Sequence, residues 1–302
     1  MSPPIGIVLV TRDRRAEVLA TLPLLEALPE RPPVVVVDNA SRDGTPAAVR
    51  RAHPDVRVLA LPVNLGGAAR TLGVRALGAP LVAFADDDSD WAPGALARAV
   101  DLLAAHPRVV LLAARVLVGA ARRPDPVCAA MAAAPLGTPR GLPGPAILGF
   151  LACGAVVRRD AFLAAGGFHP RFGIGGEEEL LALDLAARGG ALAYVPELVA
   201  HHRPAAGGGR SGRSARQARN ALWTAWLRAP APLAARRTAA LTRDAPPTAL
   251  ARALRGAGWV AAERRAVPPA LAADVARLWG AGSPPRPWRP GVPASRSALR
   301  GA

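Results

Sequence analysis

Four apolar runs in the first 85 residues limit what this chain can fold into more than any other feature. They are Ile5-Gly-Ile-Val-Leu-Val10, Val34-Val-Val-Val37, Val56 to Leu61 and Leu81-Val-Ala-Phe-Ala85. Runs of β-branched and apolar residues of this length read as strands, the first, second and fourth of them buried. Helical patterning fills the gaps, over 16–28, around 46–52 and from Arg70 to about Leu77. Strand and helix alternate with short connections, which predicts an α/β fold: a mostly parallel sheet covered by helices on both faces. In an open sheet of that kind, ligands gather outside the carboxyl ends of the strands. There the fourth run delivers Asp86, Asp87 and Asp88, with Asp90 close behind and Pro93 opening a helix. Adjacent carboxylates repel one another unless a cation or hydrogen-bond donors offset the charge. Hard divalent cations take oxygen ligands of this type. The cluster is therefore either a metal-dependent site or an acidic turn before a helix N-terminus, where aspartate is also favoured.

The rest of the chain continues in the same style. Gly94 to Ala105 is helical in pattern and Val109 to Val118 strand-like, while 120–145, rich in Pro, Gly and Arg, reads as a loop. Ala146 to Arg158 reads as a strand or apolar turn, and Asp160 caps a short helix ending at Gly166-Gly167. Glu177-Glu178-Glu179 opens a helix to about Arg188, and Ala191 to Val195 is a strand that leads through Pro196 to His201-His202. Residues 1–204 thus form one domain. A flexible Gly/Arg linker is expected over 205–214, a basic helical extension over 215–282 and a disordered Pro/Arg-rich tail from Ser283.

Charge separates these parts. Residues 1–202 hold 20 arginines and 19 acids, whereas 203–302 hold 18 arginines and 3 acids. The absence of lysine suggests a coding bias toward arginine, but such a bias does not remove acids from the last third. A segment of this sign fits an anionic partner such as a membrane surface. Trp223 and Trp226 lie with Arg219 and Arg228 on one helix, which either packs on the first domain or rests on an anionic membrane. No nucleic-acid reader motif is present, so nucleic acid is not the expected partner. Cys128 and Cys153 match no metal or redox spacing and read as packing residues in a reducing compartment. No secretory leader or bilayer-length apolar run is found, so a cytoplasmic chain is expected, with the basic region suited to peripheral contact at the inner face of the membrane.

Several motifs, taken in order, resemble the family-2 glycosyltransferases of the GT-A fold. They are Val10-Thr-Arg12, Val37-Asp-Asn-Ala-Ser-Arg-Asp-Gly-Thr45, Asn64-Leu-Gly-Gly67, Phe84-Ala-Asp-Asp-Asp88, Gly166-Gly-Phe168, Gly176-Glu-Glu178, and Tyr194-Val-Pro196 followed by His202. The resemblance covers roughly residues 5–228. It implies a nucleotide-sugar donor (a UDP-sugar by default), a divalent metal, Mg²⁺ or Mn²⁺, and inversion at the anomeric carbon. It also implies roles. Asp88 would hold the metal, with Asp86 on the same face reaching the ribose or a metal-bound water, and His202 would complete the shell or contact the leaving phosphate. Asp87 would point elsewhere unless the turn has begun. Thr11, Arg12, Asp38, Asp43, Asn64, Gly67 and Arg70 would line the nucleotide pocket. For Asp43 a plain turn-forming role is equally good, and Arg12 and Arg70 could equally face solvent.

Direct displacement needs a base for the acceptor hydroxyl. The family's aspartate falls on Glu178, one methylene longer, with Glu177 as the alternative. The family's next acid falls on Leu180 and its usual helix arginine on Asp184. An acceptor on a lipid-linked or cell-envelope glycan fits the basic extension. Two rivals remain at this stage: a sugar-nucleotide nucleotidyltransferase, which lacks the expected phosphate loop after the first strand, and a degenerate, non-catalytic binding protein.

Overall fold

The computed structural model describes residues 4–204 and 213–280. The elements run β1 (Ile5–Thr11), α1 (Arg15–Glu26), β2 (Val34–Asp38), α2 (Thr45–Ala52), β3 (Arg57–Ala60), α3 (Ala69–Ala76), β4 (Leu81–Asp86), β5 (Ser89–Trp91) and α4 (Ala95–Ala105). Then come β6 (Val109–Val118), β7 (Arg123–Pro124), α5 (Pro126–Ala132), β8 (Ala155–Arg158), α6 (Arg159–Ala164), α7 (Glu177–Ala187) and β9 (Ala191–His202). Five helices follow: α8 (Arg213–Arg228), α9 (Ala231–Asp244), α10 (Pro247–Leu254), α11 (Ala257–Glu263) and α12 (Pro269–Gly280).

The strands form one sheet in the order β3-β2-β1-β4-β8-β6-β9-β5, with β7 paired to β6. β1 to β4 are parallel, as the alternating pattern predicts. β8 enters antiparallel between β4 and β6, and β5 lies antiparallel on β9, so the sheet as a whole is mixed. The pleat sorts the valine-rich strands onto two faces. Val8, Val10, Val35 and Val37 join Phe84, Phe162 and Phe168 on one side. Ile7, Leu9, Val34 and Val36 meet Leu22 and Leu25 of α1 and Leu96 and Leu103 of α4 on the other.

Two segments depart from the expected pattern. The stretch read as a loop over 120–145 contains α5. Pro126 stands at its first position, and the Asp125 side chain accepts a hydrogen bond from the Val127 amide at 2.9 Å. That Asp-Pro pair is a helix-start signal which the surrounding Pro and Arg obscure. β9 also does not stop at Val195. Its register on β6 jumps from Ala114↔Val195 to Arg115↔Val199, so a bulge at 196–198 absorbs Pro196 and the strand resumes to His202.

The C-terminal helices are built onto the sheet domain. Trp223 is buried with Phe172, Leu180, Leu222, Leu227 and Val260, and its indole N–H donates to the Ala253 carbonyl at 3.0 Å. Trp226 is half-buried and donates to Thr238 Oγ1. Arg228 forms a two-point ion pair with Asp184 of α7. Of the two readings of this helix, packing accounts for both indoles. Among the described residues no helix is long and apolar enough to cross a membrane. Residues 205–212 of the expected linker and the tail from Ser283 lie outside the described residues; Arg213 and Ser214 open α8.

Candidate active site

The C-terminal ends of β1, β2 and β4 open onto a cavity of about 810 Å³. Thr11, Arg12, Asn64, Arg70, Asp86, Asp87, Asp88 and His202 all line it. A shallower pocket of about 390 Å³ adjoins it at Arg12 and Asn64 and is walled by Ser41, Arg42 and Pro62. Residues from four separate strand ends therefore meet at the place where the fold class predicts a ligand.

The three aspartates have different surroundings. β4 ends at Asp86, so Asp87 and Asp88 already lie in the turn and do not alternate across a strand. Asp86 pairs with Arg70 of α3. Asp87 is buried, accepts a hydrogen bond from Thr11 Oγ1 at 2.9 Å and faces Arg14 Nε at 2.7 Å. Asp88 receives Arg14 Nη2 at 2.7 Å on one oxygen and faces His202 Nε2 at 3.3 Å on the other. Arg14 was not singled out from the sequence, yet it neutralises two of the three carboxylates. Thr11 is likewise committed to Asp87.

Burial pushes Asp87 up to about 7; the Arg14 charge opposes this, and the Asp88 and Asp86 charges add to it. Asp88 moves the other way. Burial would raise it, but His202 and Arg14 together hold it below the usual carboxylate range. The same contact outweighs burial at His202 and holds its imidazole above the ordinary histidine value. The Asp88–His202 contact thus favours the charged form of each partner. Its neighbour His201 faces away from this pair, toward Asp90 at 3.4 Å. The cross-strand register pairs His201 with Asp90 and His202 with Ser89, and successive residues point to opposite faces.

Asp38 lies 1% exposed at the end of β2. One of its oxygens accepts from the Ser41 amide at 3.0 Å, and the other, Oδ1, is buried with no partner among the described residues; Asp38 lies beneath the pocket surface and lines neither pocket. Asp43, in contrast, spends both oxygens on its own loop. One accepts from the Arg15 amide and the other from Thr45, and Asp43 lines neither pocket. Of the two readings of Asp43, this geometry supplies the turn-forming one.

The glycines at 66 and 67 have a structural reason. The Gly67 amide donates to the Gly173 carbonyl at 2.8 Å. A Cβ on Gly66 would come within 2.6 Å of Gly173 Cα, and one on Gly67 within 2.7 Å of Glu177 Oε1. The close approach that these glycines permit is to the 173–177 segment. Asn39 locks the same loop, accepting from the Leu65 amide at 2.7 Å and donating to the Gly66 carbonyl at 3.0 Å. Asn64 folds back on the Gly66 amide.

Glu177 and Glu178 differ as sharply as the aspartates do. Glu177 is buried and accepts from the Gly175 amide. Burial, reinforced by Glu178 and only partly offset by Arg70, raises it to about 8. Glu178 is half-buried and accepts from the Gly176 amide at 3.2 Å. Neither lines the cavity itself. Arg70 connects the two acid groups: against the pull of burial, Asp86 first and then Glu177 and Glu178 stabilise its charge. Glu179 turns to the C-terminal helices, where its carboxylate accepts a hydrogen bond from the Trp279 indole at 2.9 Å. The far wall of the cavity comes from residues 170–174 and from Arg216 and Arg219 of α8, which sequence reasoning did not place there.

A divalent cation can be tested against this arrangement. Among the described residues no three acidic, histidine or cysteine side chains are grouped as a self-sufficient metal site. Asp88 and His202 do converge; the carboxylate oxygen suits Mg²⁺ or Mn²⁺, and the imidazole favours Mn²⁺ of the two. The fit is that of a metal held by two protein ligands whose remaining positions come from a bound ligand. Asp86 turns to Arg70 and is not part of that pair.

Comparison with known proteins points the same way. The family model for glycosyl transferase family 2 matches residues 7–164. The chain is 29% identical over 238 residues to an N-acetylglucosaminyl-diphospho-decaprenol L-rhamnosyltransferase of Mycobacterium tuberculosis, covering 67% of this chain and 77% of that protein. In structure it resembles the mannosyltransferase PcManGT of Pyrobaculum calidifontis in complex with GDP-Man and Mn²⁺. The TM-score is 0.57 at 22% identity, over 93% of this chain and 88% of that one. It also resembles residues 1–349 of S. aureus TarS in complex with UDP-GlcNAc, with a TM-score of 0.55 at 15% identity, over 74% of this chain and 66% of that one. At these identities the structural likenesses speak for the fold.

Proposed function

This chain belongs to glycosyl transferase family 2 and is a glycosyltransferase, and from that premise we propose that it moves a sugar from a nucleoside diphosphate to a hydroxyl of a lipid-linked glycan, with inversion. One observation carries the reading: Asp88 and His202 come from different strands and meet at 3.3 Å on the floor of the large cavity. The relative from M. tuberculosis, named for a diphospho-decaprenol acceptor, supports the choice of acceptor.

Breaking the bond between a sugar and a diphosphate places negative charge on the departing oxygens. A Mg²⁺ or Mn²⁺ ion bound by Asp88 and His202 would supply Lewis-acid stabilisation of that charge. Arg70, fixed by Asp86, adds a preoriented cation beside the same oxygens. The unpartnered Oδ1 of Asp38 would accept the ring N–H of a uracil-type base, with Arg12 and Asn64 walling that end. Glu178 would take the acceptor hydroxyl proton as the new C–O bond forms and the bond to the diphosphate breaks. Glu177, held protonated near neutrality by its burial, serves to brace the 173–177 segment against Gly67.

With only two protein ligands, metal and nucleotide should bind together. Thermal-shift titrations of UDP, GDP and TDP, each with and without Mn²⁺, test this. The expected result is that one nucleotide with Mn²⁺ raises Tm strongly while Mn²⁺ alone does not, and that Asp88→Asn abolishes the metal-dependent part. Equal stabilisation of wild type and Asp88→Asn would overturn the metal assignment. The anomeric configuration of the product, read by NMR, tests inversion.

A further inference from the structure

One part of the cavity wall carries three cations with no carboxylate to match them among the described residues. Arg171, Arg216 and Arg219 line it, and among the described residues none of the three has a salt bridge to an acid. Most other cavity charges are paired: Arg14 with Asp87 and Asp88, Arg70 with Asp86, Arg12 with Asp13. An excess of guanidinium confined to one wall of a cleft is the signature of a site for a polyanion.

The wall is built to hold its shape. Arg219 stacks on Trp223, 4.1 Å from the ring centroid. Its Nε and Nη2 donate to Asn220 Oδ1 at 3.0 and 2.7 Å, and Nη2 also reaches the Phe172 carbonyl at 3.0 Å. Asn220 is itself fully buried, with Nδ2 on the carbonyls of Phe172 and Gly175. These contacts use one edge of the guanidinium and leave Nη1 with no hydrogen bond among the described residues. Burial first, and then crowding by Arg216 and Arg252, lowers Arg219 from its ordinary value; an anion would relieve that crowding. Arg216 packs against Gly173, where even a Cβ would lie 3.8 Å from its side chain.

We propose that Arg216 and Arg219 of α8, with Arg171, bind the diphosphate of the acceptor, separately from the donor diphosphate at Asp88 and His202. This rests on the reading of a lipid-linked, diphosphate-bearing acceptor. Arg171 belongs to residues 170–176, the segment that leads into Glu178, and Arg216 and Arg219 meet that segment at Gly173 and Phe172. A diphosphate held there would put the acceptor sugar between the α8 wall and the donor, next to the segment that carries Glu178. The chain's C-terminal third then has a catalytic-cleft role that does not depend on its overall charge.

The alternative source of the same chemistry is the donor, and two probes separate them. Full-length protein is titrated with geranyl diphosphate, and in parallel with the nucleoside diphosphate plus Mn²⁺ that stabilises the wild type. Arg216→Ala should weaken geranyl diphosphate about tenfold or more and leave the nucleotide constant within twofold. Arg216→Lys should recover part of the loss, because charge remains but the planar fork does not. Geranyl monophosphate should bind more weakly than the diphosphate and respond less to the substitution. Arg219→Lys, which keeps the charge over Trp223, is the second variant if Arg219→Ala unfolds. The proposal is overturned if Arg216→Ala weakens the nucleotide as much as the prenyl diphosphate, or changes neither, or if wild type binds the nucleotide but no geranyl diphosphate. Failure of the wild type to bind any nucleoside diphosphate would instead strike the donor reading.

Discussion

The floor and the α8 wall of the cavity handle charge in opposite ways. On the floor every acid faces a base: Asp86 has Arg70, Asp87 and Asp88 share Arg14, and Asp88 also meets His202. On the wall, Arg219 is supported by the Phe172 carbonyl, Asn220 and the Trp223 ring, and Arg171 by the Trp259 ring, while no salt bridge to an acid joins these two or Arg216 among the described residues. A neutralised floor can accept a metal and a diphosphate together, since the pair brings little net charge. An uncompensated wall favours an anion that arrives alone. One cavity thus contains two electrostatic regimes, which suits an enzyme that must hold two anionic substrates apart.

Substitutions can break this contrast, beginning with the largest effect. Glu178→Gln removes the proposed base and leaves the ion pairs of the floor and the arginines of the wall in place. We expect kcat to fall by about 10²- to 10⁴-fold, with nucleotide affinity unchanged, while Glu178→Asp keeps most of the rate. A glutamine variant with near-normal kcat would remove Glu178 from the mechanism and shift attention to Glu177.

Trp223→Ala attacks the wall through its support. Trp223 is buried against Phe172 and Trp259 and carries Arg219 on its face. A loss of about 3–5 kcal/mol is expected for a buried tryptophan, visible as a drop of roughly 10 °C in Tm. A variant that melts like the wild type would mean that α8 is an appendage and not part of the domain.

Glu177→Gln gives the smallest and most diagnostic effect. Burial raises the folded-state pKa of Glu177 to about 8, well above the 4.5 of an ordinary glutamate. The folded state therefore holds a proton that the unfolded chain has lost, and this group's contribution to stability is complete below about pH 4.5 and is lost as pH rises toward 8. Glutamine carries no such dependence. The variant should melt a few degrees higher than the wild type at pH 8 and match it near pH 4.5. A variant that is less stable at pH 8 would show that Glu177 is ionised and paired with Arg70.

Much of this was readable in the sequence, and the exceptions have a common cause. Unbroken valine and isoleucine runs mark buried strands through local composition, and acids at the strand ends follow directly. Arg14 and Arg216 could not be picked out, and Arg219 reads from the sequence only as part of a basic helix, because this chain uses arginine everywhere and their partners lie far away along it. Arg14 meets Asp88 across 74 residues, and Arg219 meets Phe172 across 47. The glycine pair at 66–67 was recognisable as a close approach, but what it approaches was fixed only by the fold. The antiparallel insertion of β8 was hidden for a similar reason, since an apolar strand looks the same in either direction.

The bulge in β9 sets the identity of the imidazole on the cavity floor. Three residues, 196–198, separate the two registers on β6, and His201 and His202 project to opposite faces beyond it. Lengthening that spacer by one residue would shift the strand's end by half a pleat and place His201 where His202 now faces Asp88. Removing two would restore the original facing at a displaced height. The spacer thus acts as a parity counter: the site reads whether its length is odd or even and is indifferent to most of its chemistry.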